Sequence, residues 1–523
     1  MTRLKAFVAT VILLALVGVG ASLDWKHISV DGLQGALNDQ VGYIAVSRHW
    51  AAGDGLRSSF VYPSLLLQKV TKSTLYMPGF YWALGLTFKL FGYSTVTARV
   101  PSLVAYLLAC VLTWWIARRV YCEGVAGIAC TLFAFFPLCM VFAFTAMAET
   151  VVAAAGLASF AIFLWGMGWN GGVVQTTSRE QAIGDAGMVR RGTWIAPLAI
   201  IIPLVFRETG VVVGLIMVAM LMRAAGANRW RAGASAGAVM AIAIAAALAS
   251  PIATGRPSLW KANILSSGDP QALYADAYAM ERVPAGPLDW AQALGRNFVD
   301  NARNLVWTTQ DADGWAERTG IWFLLSGIPL GLYLGAQKND WFAGGVTAAT
   351  AVLLLADLSC YDIWGYRGVR ALLVMAPFVA MLWAKVLARW IGDSPGRQAI
   401  IVGGFAVIGF AGALVVWRGQ RDVNAGTLHD TAFMESIAPE AGRLLVSPFD
   451  ISLGYLNEHY PARWAFPPSN CRSLQLLDAH EAIGTLVLRL GDAPEEMLDG
   501  CGLPLRVKGE KEYNGTTYRV LRR

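Results

Sequence analysis

The sequence predicts a polytopic all-α membrane protein of about eleven transmembrane helices, followed by a small soluble α/β domain. Three observations predict it. Of 523 residues, 56% are hydrophobic and only 15% charged, where a soluble domain carries about 25% charged residues. Apolar runs long enough to cross a hydrocarbon core of about 30 Å recur from the amino terminus to Trp417. Beyond Arg418 the runs stop and short alternating segments with turn signals take over.

The apolar runs place spans near 5–22, 98–120, 123–145, 149–168, 193–206, 209–225, 231–253, 320–336, 341–357, 371–391 and 399–417. The fifth is short. The first follows Arg3 and Lys5 and lacks a small-x-small cleavage site before a polar region, which reads as an uncleaved signal anchor rather than a removed signal peptide.

Lys and Arg accumulate in cytoplasmic loops, so charge tests the count independently. With the amino terminus inside, the inner connections hold Arg118 and Arg119, then Arg179, Arg190 and Arg191, then Arg223, Arg229 and Arg231, then Lys338, and finally Lys385, Arg389 and Arg397. Every inner connection is basic. An odd number of spans then puts the chain after Trp417 outside. The net charge of +7 is explained by this topology; no Lys/Arg cluster interleaved with aromatics suggests a nucleic-acid partner.

Three outer segments are long or chemically dense: 24–99, 254–319 and the tail 418–523, the last forming a domain apart from the membrane body 1–417. In the tail, Arg443–Ser447, Gly484–Leu490 and Thr516–Leu521 read as strands, Asp450–His459 and Pro494–Asp499 as helices, and Asn514-Gly515 as a hairpin turn. Cys471 and Cys501 both lie there; an oxidising exterior permits a disulfide, and two separate thiols are the other reading. No CxxC pair occurs among the seven cysteines and no HExxH among the five histidines, so no zinc site is expected.

The span centres carry almost no ionisable groups, whereas a proton- or sodium-driven carrier binds its ion near the midplane with carboxylates or broken helices. Acids and bases gather instead at the outer span ends, which favours surface chemistry. A transporter or lipid flippase is the alternative reading, and a scaffold recognising envelope components a third.

Asn38 can cap a helix ending near Gly53, which places Asp39 in its first turn, where the macrodipole stabilises a carboxylate suited to act as a general base. A carboxylate that merely decorates a helix start is the plainer reading. Glu149 lies in a tight outer hairpin near the lipid boundary, where an acid costs free energy unless solvated or paired. The stretch after Pro78 is short and contains Lys89, and reads as a helix lying on the outer interface rather than as a span. Arg207, Arg367 and Arg370 fall at outer span ends, where the positive-inside rule does not require them and where the guanidinium fork suits phosphate; interface snorkelling is the competing reading.

Taken in order, Asp39-Gln40-Val41-Gly42-Tyr43, Tyr76-Met77-Pro78-Gly79-Phe80-Tyr81-Trp82, Phe91-Gly92-Tyr93, Arg99 and Glu149 resemble the GT-C membrane glycosyltransferases of the polyprenyl-phosphate mannosyltransferase-like and lipid A aminoarabinose or galacturonic acid transferase-like branch. The resemblance covers about the first 215 residues in motif and the rest in architecture only. It implies a GT-C type fold and an inverting glycosyltransferase that moves a sugar from a polyprenyl-phosphate donor to a hydroxyl of an envelope glycan, lipid or protein.

The same resemblance implies roles: Asp39 and Glu149 catalytic, Tyr43 and Tyr76 at the substrate, and Arg207, Arg367, Arg370 and Lys72 on the donor's lipid phosphate. Gln40 stands where the family often has a second acid, and Leu75-Tyr76-Met77 where it has an acid-base pair, which shifts phosphate binding toward the arginines. No cofactor is expected, because arginines can neutralise a monophosphate leaving group; a divalent metal is the alternative. The implied location is a bacterial inner membrane, with the site and tail on the periplasmic side.

Overall fold

The structure is a computed structural model that describes residues 39–57, 77–94, 96–169, 179–249, 286–311, 315–338, 340–360, 370–392, 396–397, 400, 403–409, 411–412, 437, 443–448, 463–465, 467–513 and 515–523. Most of the described chain is a bundle of apolar helices. In chain order they are α1 (Asp39–Ala52), α2 (Pro78–Phe91), α3 (Val100–Val120), α4 (Glu123–Ala134), α5 (Pro137–Ala143), α6 (Glu149–Met167) and α7 (Arg179–Phe206). They continue with α8 (Val213–Ala224), α9 (Arg229–Ala249), α10 (Pro287–Asp311), α11 (Trp315–Leu325), α12 (Gly327–Lys338), α13 (Trp341–Cys360) and α14 (Ala376–Ile391).

Helix α3 shows why these segments build a membrane body. Val104, Leu107, Leu108 and Val111, at helical spacing, are exposed on one side, while Ser102, Ala105, Tyr106, Ala109, Cys110, Thr113 and Ala117 are buried on the other. The outward face is as apolar as lipid, and the inward face is small enough to bring neighbouring backbones close. Helix α6 packs between α3 and α7, α14 lies against α4, and α8 lies against α13.

The described residues do not confirm the expected count of eleven spans. Six helices there are long and apolar enough to cross a membrane: 97–120, 149–167, 187–206, 320–337, 341–359 and 370–391. The expected first span and part of the eleventh lie outside the described residues. The expected third span is not a straight rod: α4 and α5 meet at a 63° bend. The break at Phe135-Phe136 precedes Pro137, which has no N–H to continue the ladder. The Tyr106 hydroxyl donates to the Ala134 carbonyl there, so the freed backbone is satisfied from within the protein. The weak fifth span is the upper part of a 28-residue helix, so Arg179, Arg190 and Arg191 lie on α7 rather than in a loop.

The two ends of the bundle differ chemically. At the far end of α6 from Glu149, Arg119 donates to the Trp169 carbonyl at 2.8 Å and the Arg223 guanidinium lies 5.4 Å from the Trp169 ring. Lys385 stands over Tyr121, and Arg118 over Trp114. The basic residues assigned to inner connections thus sit among amphipathic aromatics of the kind that mark a membrane interface.

At the opposite end α1 and α2 pack closely. A Cβ on Gly85 would run into the Trp50 ring and stand 3.1 Å from the Ser47 carbonyl oxygen. Gly85→Ala is expected to lower stability by about 1–3 kcal/mol, as overpacking does, read as a lower unfolding midpoint in detergent; an unchanged midpoint would show that the two helices separate freely. The turn that ends α1 uses Gly53 and Gly55, both at positive φ (96° and 78°), as the breaker in the sequence predicts.

The tail residues form a five-stranded sheet in the order β2-β1-β3-β5-β4, with β1 (Leu444–Val446), β2 (Trp464–Ala465), β3 (Ile483–Arg489), β4 (Arg506–Tyr513) and β5 (Thr516–Arg522). Strand β1 runs parallel to β2 and β3, and β5 runs antiparallel to β3 and β4. Leu444, Val446, Leu474, Leu477, Leu486, Leu488 and Leu521 make a core separate from that of the bundle. Helix α15 (Cys471–His480), missed in the sequence, is capped by Asn470, whose side chain accepts from the Ser473 N–H at 2.9 Å. The expected helix at Asp450–His459 lies outside the described residues, and the one at Pro494–Asp499 is the short α16 (Glu495–Leu498). Cys471 and Cys501 are joined as a disulfide.

Candidate active site at the Glu149 end of the bundle

Glu149 is the first residue of α6, where unpaired backbone N–H groups favour a negative charge. The residue is only 3% exposed. Burial at that depth calls for a partner, and the partners are two of the expected arginines. Arg207 donates through Nη1 to Glu149 Oε1 at 2.8 Å, and the Arg370 Nε stands 3.9 Å from the same oxygen. Both arginine side chains are mostly buried, 17% and 12% exposed. The second carboxylate oxygen, Oε2, is buried and has no hydrogen-bond partner among the described residues.

Local geometry explains how residues 58 and 221 positions downstream reach Glu149. Arg207 is a single extended residue (φ −164°, ψ 146°) between α7 and the 3₁₀ turn Glu208–Val212. Its N–H closes on the Pro203 carbonyl at 3.0 Å, and its carbonyl accepts from the Gly210 N–H at 3.1 Å. The turn is tight enough that a Cβ on Gly210 would overlap Pro203. The arginine therefore leaves the chain at a fixed point. Arg370 opens the apolar segment 370–391 at the same end of the bundle.

The hairpin before Glu149 is held by two other elements. Gln40 is 1% exposed, and its Oε1 accepts from the Ala146 N–H at 2.9 Å. The Ser102 hydroxyl donates to the Met147 carbonyl at 2.9 Å, and the Thr150 hydroxyl to the Ser102 carbonyl at 3.1 Å. The residue that departs from the family's second acid is thus the one that ties α1 to the Glu149 hairpin. Asp39, its neighbour, is the first residue of α1; its side chain lies outside the described residues. Arg99, part of the matching motif but given no role from sequence, is fully buried just before α3, at this end of the bundle.

Tyr43, expected at the substrate, is buried between α1 and α2. Its ring is 2% exposed and packs edge-on to Phe80 at 4.8 Å and against Tyr81 at 5.3 Å, so it joins α1 to α2. Lys72, Tyr76 and Arg367 lie outside the described residues. Glu149, expected to be catalytic, has Oε1 engaged by Arg207 while Oε2 is buried. Among the described residues no group of three or more His, Cys, Asp and Glu side chains is placed to hold a metal ion.

No family model and no curated protein matches the sequence. Solved structures do align. The apo form of ArnT from Cupriavidus metallidurans is 15% identical, with 98% of each chain covered and a TM-score of 0.45. The same protein bound to undecaprenyl phosphate aligns over 98% of this chain and 97% of that one, at 15% identity and a TM-score of 0.44. The apo oligosaccharyltransferase of Archaeoglobus fulgidus is 13% identical, covering 95% of this chain and 70% of that one, with a TM-score of 0.49. At such identities and scores these alignments say nothing of substrate or mechanism.

Proposed function

We propose that the chain is a membrane glycosyltransferase of the GT-C type, which moves a sugar from a polyprenyl-phosphate donor to a hydroxyl of an envelope acceptor with inversion at the anomeric carbon. The observation that carries the reading is the buried Glu149–Arg207–Arg370 cluster at the outer end of the bundle. A transporter reading gains nothing from the bent helix pair among the described residues, because the Tyr106 hydroxyl occupies its freed carbonyl.

In this reading the arginine forks bind the lipid phosphate. Glu149 fixes one donor of Arg207, and the two guanidinium groups supply the positive charge that meets the anion leaving with the lipid. Charge on the phosphate grows as the glycosidic bond breaks, so groups already held in place stabilise the transition state without reorganising. Asp39 takes the proton of the acceptor hydroxyl as its oxygen attacks the anomeric carbon from the side opposite the phosphate. Water is kept from competing by the apolar packing of α1, α2 and the hairpin around Phe80, Phe142 and Ala146.

The membrane body spans 1–417, the outer loop 254–319 and the tail 418–523 shape the acceptor side, and the protein sits in a bacterial inner membrane with this end facing the periplasm. Cationic side chains do the work of a metal. Transfer by the purified protein is therefore expected to persist in EDTA at more than half its untreated rate; loss of activity that magnesium or manganese restores would overturn the metal-free part of the reading.

A further inference from the structure

Helices α6 and α7 run antiparallel and stay in register along their length. At one end Glu149 meets Arg207, midway the Ser159 hydroxyl donates to the Ala199 carbonyl at 2.8 Å, and toward the far end a Cβ on Gly166 would run into Ile195. This register sets Ile162 level with Leu198 and Trp165 level with Trp194. All four side chains are exposed, the two indoles at 72% and 65%. Two apolar pairs, about one helical turn apart, thus face outward along the α6–α7 seam.

One turn beyond Trp194, on the same face of α7 as Trp194 and Leu198, stand Arg190 and Arg191, both exposed. The order along the seam is aliphatic, then indole, then guanidinium, in steps of about 5.4 Å per helical turn. More positive charge gathers beside it. A Cβ on Gly192 would run into Leu221 of α8 and Met167 of α6, and Arg223 and Trp169 lie two residues beyond those contacts. The Arg223 guanidinium stands 5.4 Å from the Trp169 ring, and Arg119 donates to the Trp169 carbonyl at 2.8 Å. Neither of these contacts cancels a positive charge.

We infer that the α6–α7 seam, at the end of the bundle opposite Glu149, binds an anionic phospholipid of the leaflet there. The lipid phosphate meets Arg190 and Arg191, the glycerol esters lie at Trp165 and Trp194, and an acyl chain runs along Ile162 and Leu198. Guanidinium forks suit a phosphate, exposed indoles suit the ester region, and basic clusters at a membrane surface select anionic over zwitterionic headgroups. The site has a consequence for the rest of the molecule. Helix α6 opens with Glu149 and α7 ends beside Arg207, so the bound lipid ties together the far ends of the two helices that carry that ion pair.

The test is competition against an acyl-labelled fluorescent phosphatidylglycerol on the purified full chain in neutral detergent, with dioleoylphosphatidylglycerol, dioleoylphosphatidylcholine and inorganic phosphate as competitors. Phosphatidylglycerol is expected to bind at least about tenfold tighter than phosphatidylcholine, each surface arginine contributing about a factor of five. In the Arg190→Gln/Arg191→Gln double variant that preference falls below about threefold. Arg389→Gln removes a charge at the same end, on α14, where Arg389 bonds Gln337; it is expected to change the preference by less than about 1.5-fold, as a distant site does. Equal binding of the two lipids by the unchanged protein overturns the inference. So does a loss per charge in Arg389→Gln as large as in the double variant, which would mean that a diffuse positive rim attracts lipid. Displacement of the labelled lipid by millimolar inorganic phosphate would mean an ion site without a lipid seam, and overturns it too. If the double variant does not fold, Trp194→Ala decides: about threefold weaker phosphatidylglycerol binding supports the seam, and an unchanged Kd overturns it.

Discussion

Asp39→Asn is expected to lower the rate of sugar transfer by about a hundred- to ten-thousand-fold, the range over which a positioned general base acts, with the protein still inserted and folded. The substitution keeps the size of the side chain and its ability to accept a hydrogen bond while removing the capacity to take a proton at neutral pH. Helix α1 is anchored by Gln40 on the Ala146 N–H and by Tyr43 against Phe80 and Tyr81. None of these contacts involves Asp39, so folding should be spared. Single-turnover transfer with donor already bound separates the two: a chemical rate that drops with donor affinity intact supports the base, whereas a normal chemical rate would reduce Asp39 to a helix-start carboxylate.

Glu149→Ala is expected to be the most damaging single change to the body of the protein. It leaves Arg207 and Arg370 mostly buried at the Glu149 end of the bundle without the acid beside them, and breaking a buried pair by removing one partner costs about 3–5 kcal/mol. Glu149→Gln keeps an oxygen to accept from Arg207 Nη1 and should fold better, yet it loses the charge that holds two guanidinium groups on one point. Its donor KM is expected to rise at least about tenfold. Thermal unfolding in detergent and steady-state kinetics check the two parts. If Glu149→Ala unfolds at the unchanged temperature, the cluster is solvated rather than buried.

The sequence displayed the periodic and charged parts of this architecture and concealed the parts fixed by tertiary contact. Apolar runs predict α3, α6, α13 and α14 within a few residues, because a lipid-spanning helix has no other way to satisfy its backbone. The bend at Phe135-Phe136 escaped, although Pro137 marks it, since an apolar run with one proline reads as a continuous span. In the sequence α7 looks shorter than it is because Arg190 and Arg191 resemble loop residues; on a helix that emerges from the membrane they are ordinary. In the tail, β4 reads Arg-Val-Lys-Gly-Glu-Lys-Glu-Tyr, an edge strand whose charges guard against pairing with other chains and erase the strand signal.

The site follows the same division. Glu149, Arg207 and Arg370 were each legible as charges stranded at span ends, and their pairing was not, because residues 58 and 221 positions apart meet only through packing. Gln40 looked like a missing acid and is a tether instead.

The central claim is that this buried cluster serves sugar transfer from a lipid phosphate. Mass spectrometry of envelope lipids and glycans, comparing cells that have the protein, lack it, or carry Glu149→Gln, tests it most directly. The account predicts that one defined sugar disappears from one envelope component in both altered strains, while the matching polyprenyl-phosphate sugar accumulates in the membrane. Identical sugar profiles and an unchanged pool of lipid-linked sugar in all three would contradict it.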